Sequence, residues 1–230
     1  MEKKSFKKYF TQGKVLLYAG IAIAAAGLLL YGINYFFLHE WVLYQSSWIV
    51  ATVGAVTVIC HFSIRIRDGA VDEYAHNFHG VLEQELEEYF KDSEKRPVKV
   101  FNFTSGAYGL DDTTATKLVA GNDQTPRCEK YCCVALLYSP EKLYAVFGSI
   151  DLINGDIRTE KLSLPLNEID TVELVDNSFT KAIKGKTKYC ECFKMRIKTE
   201  TDTFSFHVHN DAVTDEAIAK ITRAAESKKQ

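Results

Sequence analysis

The chain lacks the short motifs that mark common catalytic and cofactor sites. Its 230 residues contain no glycine-rich phosphate loop after an apolar run, no His-Glu-x-x-His pattern and no Cys-x-x-Cys pair among six cysteines. Arginine-rich stretches with interleaved aromatic residues, which bind nucleic acid, are also missing. These absences leave an enzymatic activity without support. We therefore predict a protein that is not an enzyme, needs no cofactor and binds no nucleic acid.

Two long stretches, Val15 to Leu38 and Trp41 to Ile64, contain no Asp, Glu, Lys or Arg. Each is 24 residues long, whereas about 20 apolar residues cross the hydrocarbon core of a bilayer. One continuous helix over both would be on the order of 70 Å long, more than twice the core thickness. We therefore predict a transmembrane hairpin with His39–Glu40 at its tip. The missing charges argue against an ion pathway or proton relay built from this hairpin alone.

Basic residues flank the two apolar runs. Up to residue 67 the chain has seven lysines and arginines against two glutamates, and the basic residues lie before the first run and after the second. The positive-inside rule then places both ends of the hairpin in the cytoplasm. We predict a multi-pass protein of the cell membrane with cytoplasmic N- and C-termini. A cleaved secretory signal is disfavoured, because the first run continues to Leu38 without a polar cleavage region.

Small residues recur at helical spacing in each apolar run. Small side chains let helix backbones approach closely in lipid, where no hydrophobic force acts between helices. We predict that two stripes face each other inside the hairpin: Gly20, Ala24 and Gly27 from the first run, and Ser47, Ala51 and Ala55 from the second.

An acidic segment follows the hairpin. Apolar residues from Val71 to Phe90 recur at three- and four-residue intervals, which predicts an amphipathic helix. Four glutamates between residues 83 and 88 make the outer face of this helix negative, and an anionic lipid leaflet would repel that face. We expect the apolar stripe to pack against the protein's own domain; dimerisation through the stripe is the alternative.

After Pro97 the helical period gives way to alternation, which is typical of strands. We predict seven strands: 98–103, 128–138, 143–151, 158–164, 171–175, 189–199 and 203–208. A tight turn at Glu200–Thr201 would make the last two antiparallel, with one apolar and one polar face. Asn210 or Asp211 can cap a final amphipathic helix, which needs a sheet to cover.

The order of these patterns resembles the pleckstrin-homology-like domains of bacterial membrane proteins. The resemblance covers roughly residues 128–226 and rests on Leu143-Tyr144 with Gly148, Leu164-Pro165-Leu166, Ile169 and Val172, Ser178-Phe179 with a lysine-rich loop, the run from Phe193 to Thr199, and the run from Thr203 to Phe206. It implies a partly open antiparallel barrel of two sheets, capped by the last helix, with no catalytic residues. The chain departs from the pattern at Asp202, where such domains have a turn glycine.

The predicted fold class is therefore α+β, with three parts. Residues 1–67 form a membrane anchor with helices at about 15–38 and 41–64, residues 68–96 form an acidic amphipathic connector helix, and residues 97–230 form a cytoplasmic pleckstrin-homology-like domain.

Two clusters in this domain are candidate binding sites. Lys181, Lys184, Lys186 and Lys188 flank Gly185 in a loop, where each lysine could contribute about 1 kcal/mol of attraction to an anionic leaflet; a solvated hairpin loop is the alternative reading. Cys190, Cys192, His207 and His209 lie on neighbouring strands, and two thiolates with two imidazoles suit zinc. The alternative is a set of outward-facing side chains on an edge hairpin.

These observations favour a membrane-anchored, non-catalytic interaction module. We expect its pleckstrin-homology-like domain to bind a protein partner or the lipid bilayer at the cytoplasmic face, with self-association left open. A metal- or thiol-site protein that uses Cys190, Cys192, His207 and His209 is one alternative. An accessory subunit of a larger membrane complex is the other.

Overall fold

The computed structural model describes residues 4–11, 15–38, 40–63, 66–93, 99–110, 117–121, 123–183 and 185–229. The protein is α+β, as the sequence predicted. Its helices are α1 (Lys7–Thr11), α2 (Val15–Ile33), α3 (Trp41–Ser63), α4 (Asp68–Ser93) and α5 (Ala212–Lys229), with a π-helical turn at Asn34–Leu38 and a 3₁₀ turn at Leu166–Glu168.

Eleven strands are described between α4 and α5. They are β1 (Phe101–Tyr108), β2 (Leu118–Ala120), β3 (Pro126–Cys128), β4 (Lys130–Tyr138), β5 (Lys142–Asp151), β6 (Asp156–Pro165), β7 (Ile169–Asp176), β8 (Phe179–Ile183), β9 (Lys186–Cys190), β10 (Phe193–Thr199) and β11 (Thr203–Val208).

The chain separates into two compact units. Residues 11–67 form one, and residues 4–10 form the other together with the described residues from 68 onward. The predicted anchor at 1–67 is thus divided, because its first residues fold with the β-rich unit. The connector helix also belongs to that unit.

The smaller unit is an antiparallel pair of apolar helices. Segments Leu17–Leu38 and Trp41–Cys60 are long and apolar enough to cross a membrane. Most of their large side chains have no protein cover; Leu29 is 68% and Phe37 is 79% exposed. At the tip, the buried Asn34 side chain donates to the Glu40 carbonyl and accepts from the Glu40 backbone N–H, both at 2.9 Å. His39, predicted at the tip, lies outside the described residues.

Small residues set the distance between the two helices. A Cβ added at Gly27 would lie 2.4 Å from the Ala51 nitrogen, and one at Gly54 would lie 2.3 Å from the Ala24 nitrogen. Gly20 approaches Val58 in the same way, and Ser47 is buried.

Ala55 does not take part, contrary to the predicted stripe. It is exposed, and Gly54 takes its place in the interface. Since a helix turns 3.6 residues per turn, a stripe of strict four-residue steps drifts off the contact face. Residues 47, 51 and 54, which are separated by steps of four and three, stay on the contact face, as do residues 20, 24 and 27.

The larger unit has two antiparallel sheets around one core. The four-stranded sheet has the order β1-β4-β5-β6, and the three-stranded sheet has the order β11-β10-β7. Their facing sides and α5 share a core that includes Val134, Leu136, Met195, Phe206 and Ile221. The Asp211 carboxylate caps α5 by accepting a 2.8 Å hydrogen bond from the Thr214 N–H.

Helix α4 covers the opposite side of the four-stranded sheet. Its buried stripe runs from Val71 to Phe90 and packs on β4 and β5. Neighbouring residues of a strand point to opposite faces, so Ala135 and Leu137 face α4 while Val134 and Leu136 face the core; all four are fully buried. This is the packing that the sequence favoured for the acidic helix.

The seven predicted strands correspond to β1, β4, β5, β6, β7, β10 and β11, with two differences. The first predicted strand ends at residue 103, but β1 continues through Tyr108 because it pairs with β4 along its whole length. The strand predicted at 189–199 is broken at Glu191–Cys192, since Cys190 pairs with β8 while Phe193 pairs with β7 and β11.

The register predicted for the last hairpin is confirmed. Phe193 pairs with Val208, Met195 with Phe206 and Ile197 with Phe204. The turn at Glu200–Thr201 is closed by a 2.9 Å hydrogen bond from the Thr199 N–H to the Asp202 carbonyl. Two further hairpins, β2–β3 and β8–β9, were not predicted.

Replacing Gly27 by Leu should destabilise the helix pair by about 2 kcal/mol, because overpacking a close contact costs roughly 1–3 kcal/mol. Gly32→Leu on the same helix is the matched control, since a Cβ there meets nothing within 4 Å. The measurement is fluorescence-detected unfolding in mixed micelles, because both tryptophans of the chain, Trp41 and Trp48, lie in α3. Equal effects of the two substitutions would contradict the packing argument.

Candidate functional site

The cysteines and histidines of the predicted metal site do not converge. Cys190 and Cys192 are buried in a small second core with Leu110, Cys128 and Ile183. His207 Nδ1 lies 4.0 Å from Cys192 Sγ, whereas His209 is exposed and its backbone N–H donates to Ser105 Oγ. No group of three or more His, Cys, Asp or Glu in the described part of the chain is arranged to hold a metal.

Both cysteines also differ from the alternative reading, which had them facing outward. They are 0% and 2% exposed, because the β2–β3 and β8–β9 hairpins enclose them. Burial raises the pKa of Cys190 and raises the pKa of Cys128 to about 12. A thiol in such surroundings stays protonated at neutral pH and is a poor nucleophile.

The predicted lysine cluster lies on the β8–β9 hairpin. Lys181 pairs with Lys188 across the hairpin, and Gly185 forms the turn with a φ of +77°. Lys186 is exposed, Lys188 donates to the Gln124 side chain at 2.8 Å, and the neighbouring Tyr189 is 55% exposed. Lys184 lies outside the described residues.

A buried arginine joins three elements of the larger unit. The Arg127 side chain is 3% exposed and binds Asp72 of α4 with two hydrogen bonds, from Nε at 2.7 Å and Nη2 at 2.6 Å. It also donates to both carboxylate oxygens of Asp123, at 2.9 and 2.7 Å. Tyr108 at the end of β1 donates to Asp72 at 2.5 Å.

The electrostatics of this cluster reflect the ion pairs. The hydrogen bonds that Arg127 donates to Asp72 and Asp123 raise the pKa of Arg127, and they lower the pKa of Asp123. Burial pushes the pKa of Asp72 upward, but hydrogen bonds from Arg127 and Tyr108 outweigh it and lower that pKa. All three groups therefore stay charged at neutral pH.

Sequence reasoning missed this cluster. Asp72 and Arg127 are 55 positions apart, and no sequence pattern links them. One local signal was present: Asp123 and Arg127 have the four-residue spacing of an ion pair. Gly121 also belongs here, because an added Cβ would lie 2.4 Å from Arg127 Nη1 and 2.9 Å from Asp68 Cγ.

The residues before the apolar hairpin are docked beside this cluster. Phe6, Tyr9 and Phe10 are buried, and the Tyr9 hydroxyl donates to Asp68 at 2.9 Å. The Phe6 N–H donates to the Leu152 carbonyl at 2.7 Å, and its ring packs on Tyr74. The segments that lead into and out of the hairpin are therefore held together within one unit.

A histidine is half-buried where α4 crosses the sheet. His79 Nε2 lies 2.8 Å from the Tyr131 hydroxyl, and the His79 and His76 rings are 4.5 Å apart. Burial, followed by His76 and His209, lowers the pKa of His79 from 6.5 to about 4. His79 is therefore neutral at physiological pH and bonded to the sheet.

The larger unit has an open groove of about 560 Å³ between β11 and the four-stranded sheet. A second cavity of about 420 Å³ lies near the β2–β3 turn and includes Tyr108, Tyr189 and Phe193. Comparison of the chain with protein-family models, curated proteins and solved structures found no match. The geometry alone therefore carries the functional argument.

Substituting Arg127 by Ala should destabilise the larger unit by about 2 kcal/mol, because a buried ion-pair partner is lost while two half-exposed carboxylates can rehydrate. Arg223→Ala, at an exposed position of α5, is the control and should change little. Urea unfolding of the full chain in detergent, followed by circular dichroism, measures both. A stability equal to that of the unsubstituted chain would show that the cluster does not hold these elements together.

Stability should fall as the pH drops from about 6.5 towards 4. The His79 pKa is lower in the folded protein than its ordinary value of 6.5, so the unfolded chain binds the proton first and acid favours unfolding. Thermal unfolding at several pH values measures this slope. His79→Gln should flatten the slope in this window, whereas His76→Gln should retain most of it.

Proposed function

We propose that the protein is a two-span membrane-anchored, non-catalytic interaction module, whose β-rich unit lies at the cytoplasmic membrane face and binds a protein partner or the lipid surface. One observation carries the proposal: the segments on both sides of the apolar hairpin fold into the same unit, joined by the hydrogen bond between Tyr9 and Asp68. A hairpin whose two ends belong to one unit enters and leaves a bilayer on the same side.

The distribution of charge supports the cytoplasmic side. The basic residues of the first 67 positions lie next to the two outer ends of the hairpin, and basic flanks stay in the cytoplasm. The exposed apolar surface of α2 and α3 supports a lipid environment, because a surface this apolar is unfavourable in water.

The strand order supports a pleckstrin-homology-like domain. Four antiparallel strands are followed by a corner at Leu166–Glu168, three further antiparallel strands and a helix that closes the core. The hairpins β2–β3 and β8–β9 are additions to this scheme. The buried, protonated cysteines support a non-catalytic role, since the thiolate is the reactive form.

A lipid-surface contact is favoured by the position of the lysine hairpin. Lys188 bonds to Gln124 in the β2–β3 turn, and Gly121 of the same turn lies against Asp68, where the chain leads to the apolar hairpin. Lys181, Lys186 and Lys188 therefore belong to the same part of the unit as Asp68. There each could add about 1 kcal/mol of attraction to an anionic leaflet.

The proposal predicts that every lysine is inaccessible from outside the cell, because no lysine lies between residues 15 and 90. A membrane-impermeant amine-reactive biotin reagent should leave the protein unlabelled in intact cells and label it in opened cells. Labelling in intact cells would contradict the orientation. An exposed lysine placed at the tip by Phe37→Lys is the matched positive control.

The same cells test the interaction. A membrane-permeable amine cross-linker, followed by affinity capture of the intact protein and mass spectrometry, should recover one partner near one-to-one. Recovery of the protein alone, with no change in lysine reactivity between anionic and zwitterionic nanodiscs, would overturn the module proposal.

A further inference from the structure

The groove beside β11 has an apolar floor and a polar rim. Phe147 of β5 and Phe206 of β11 form the floor, with ring centroids 5.0 Å apart. Cys132 and Ser149 continue the same face of the sheet towards the open end. The volume of about 560 Å³ falls within the range of 300–1,000 Å³ that is usual for binding pockets.

One side of the groove is an open sheet edge. In the described residues β11 pairs only with β10. The hairpin closes with the Thr199–Asp202 hydrogen bond, and hydrogen-bonded and non-bonded pairs alternate from there along an antiparallel ladder. The backbone groups of Phe204 and Phe206 therefore point to β10, and those of Thr203 and Ser205 point to the open edge.

The hydrogen bond of His209 supports the direction assigned to the backbone groups of β11. His209 follows the same alternation, and its N–H points away from β10 and donates to Ser105 Oγ of β1 at 3.1 Å. Strand β1 thus covers the end of β11, while the backbone edge at Thr203 and Ser205 is not paired with any strand in the described part of the chain. Such an edge is a template for an added extended chain.

The residues that line the groove carry more negative than positive charges. Four carboxylates line it against two cations: Glu129, Asp151, Asp156 and Glu160 against Lys130 and Arg158. The Asp151 carboxylate already accepts hydrogen bonds from the backbone of the β5–β6 turn. The remaining acidic excess favours a basic partner over an acidic one.

We propose that the β11 edge binds an extended basic segment of a protein partner, which adds to the sheet as a strand beside Thr203–Ser205. Because side chains alternate along a strand, every second residue of the segment would face the groove. On that face, apolar residues would pack on Phe147 and Phe206, and basic residues would meet Glu160, which pairs with Phe147 across β5 and β6 and lies on the same side of the sheet. This inference rests on the proposed function and names the partner chemistry of that module.

The test uses the full chain in phosphatidylcholine nanodiscs, which carry no net lipid charge. The probe is a fluorescent eight-residue peptide with blocked ends in which pairs of lysines alternate with pairs of valines, so that each face of the extended peptide carries both residue types. Binding is followed by anisotropy. The same peptide with glutamate in place of lysine tests charge, and a version with N-methylated valines tests backbone pairing. Only the unmodified basic peptide should bind, and empty nanodiscs should not bind it.

Two variants locate the site. Ser205→Pro removes an N–H that points outward and leaves the hydrogen bonds to β10 intact, and an edge strand tolerates proline at such a position. The substitution should weaken peptide binding about tenfold, which is the effect of about one lost hydrogen bond. Glu160→Lys, at an exposed position, should weaken binding several-fold without backbone change. Glu226→Lys on α5 is the matched charge control and should bind normally.

Failure of the basic peptide to bind, equal binding of the acidic peptide or of empty nanodiscs, or unchanged binding by both Ser205→Pro and Glu160→Lys would overturn the assignment. Cross-linking in cells separates it from the module proposal. If a variant that combines Ser205→Pro and Glu160→Lys still captures the partner one-to-one, the groove assignment is wrong and the module stands. If the unsubstituted protein captures nothing and its lysine reactivity is the same in anionic and zwitterionic nanodiscs, the module proposal itself fails.

Discussion

The burial of β4 on both faces is the constraint on which the larger unit depends. Val134 and Leu136 face the core beneath the second sheet, and Ala135 and Leu137 face α4, so the strand has no polar side along its centre. A strand of this kind is stable only if a layer covers each face. The requirement places α4 against the sheet, and the start of α4 then positions the segments that lead to the apolar hairpin.

The Arg127 cluster stabilises the edge of this arrangement. A single guanidinium binds carboxylates from α4 and from the β2–β3 hairpin, with two hydrogen bonds to each. Bidentate pairs fix orientation as well as distance. Because Asp68 lies one helical turn before Asp72 and binds Tyr9, the residues that precede the hairpin are tied to the same place. The larger unit is therefore discontinuous in sequence, and the apolar helices are inserted between two parts of it.

The part of the larger unit beside β11 is open, in contrast to the parts that α4 and α5 cover. The four-stranded sheet is covered along its outer face by α4, and α5 closes the core at β7 and the Leu166–Glu168 turn. Among the described residues, the end of the sheet that carries Cys132 and Ser149 has no such cover, since the strands of the second sheet are shorter than β5 and β6. The groove is a consequence of this difference in strand length, and it leaves one edge strand with backbone groups directed outward.

Local patterns in the sequence determined the class of every major element. Two charge-free runs specify apolar helices, a three- and four-residue period specifies α4, and alternation specifies the last hairpin with its register, because each pattern reflects a face that must be buried. The small-residue contact was predicted on both helices, but Ala55 was named in place of Gly54, since a second four-residue step after Ala51 exceeds the helical period of 3.6 residues.

Only the tertiary structure decided which distant residues meet. Two features of the fold depend on contacts between segments 50 or more residues apart: the pairing of Arg127 with Asp72 and the docking of Phe6 and Tyr9. Two others depend on hairpins with weak local signals: the division of 189–199 into two strands and the burial of Cys190 and Cys192. The sequence shows which side chains must be buried or paired. Which residue each of them contacts depends on how the sheets and helices pack, because several partners could bury or pair the same side chain.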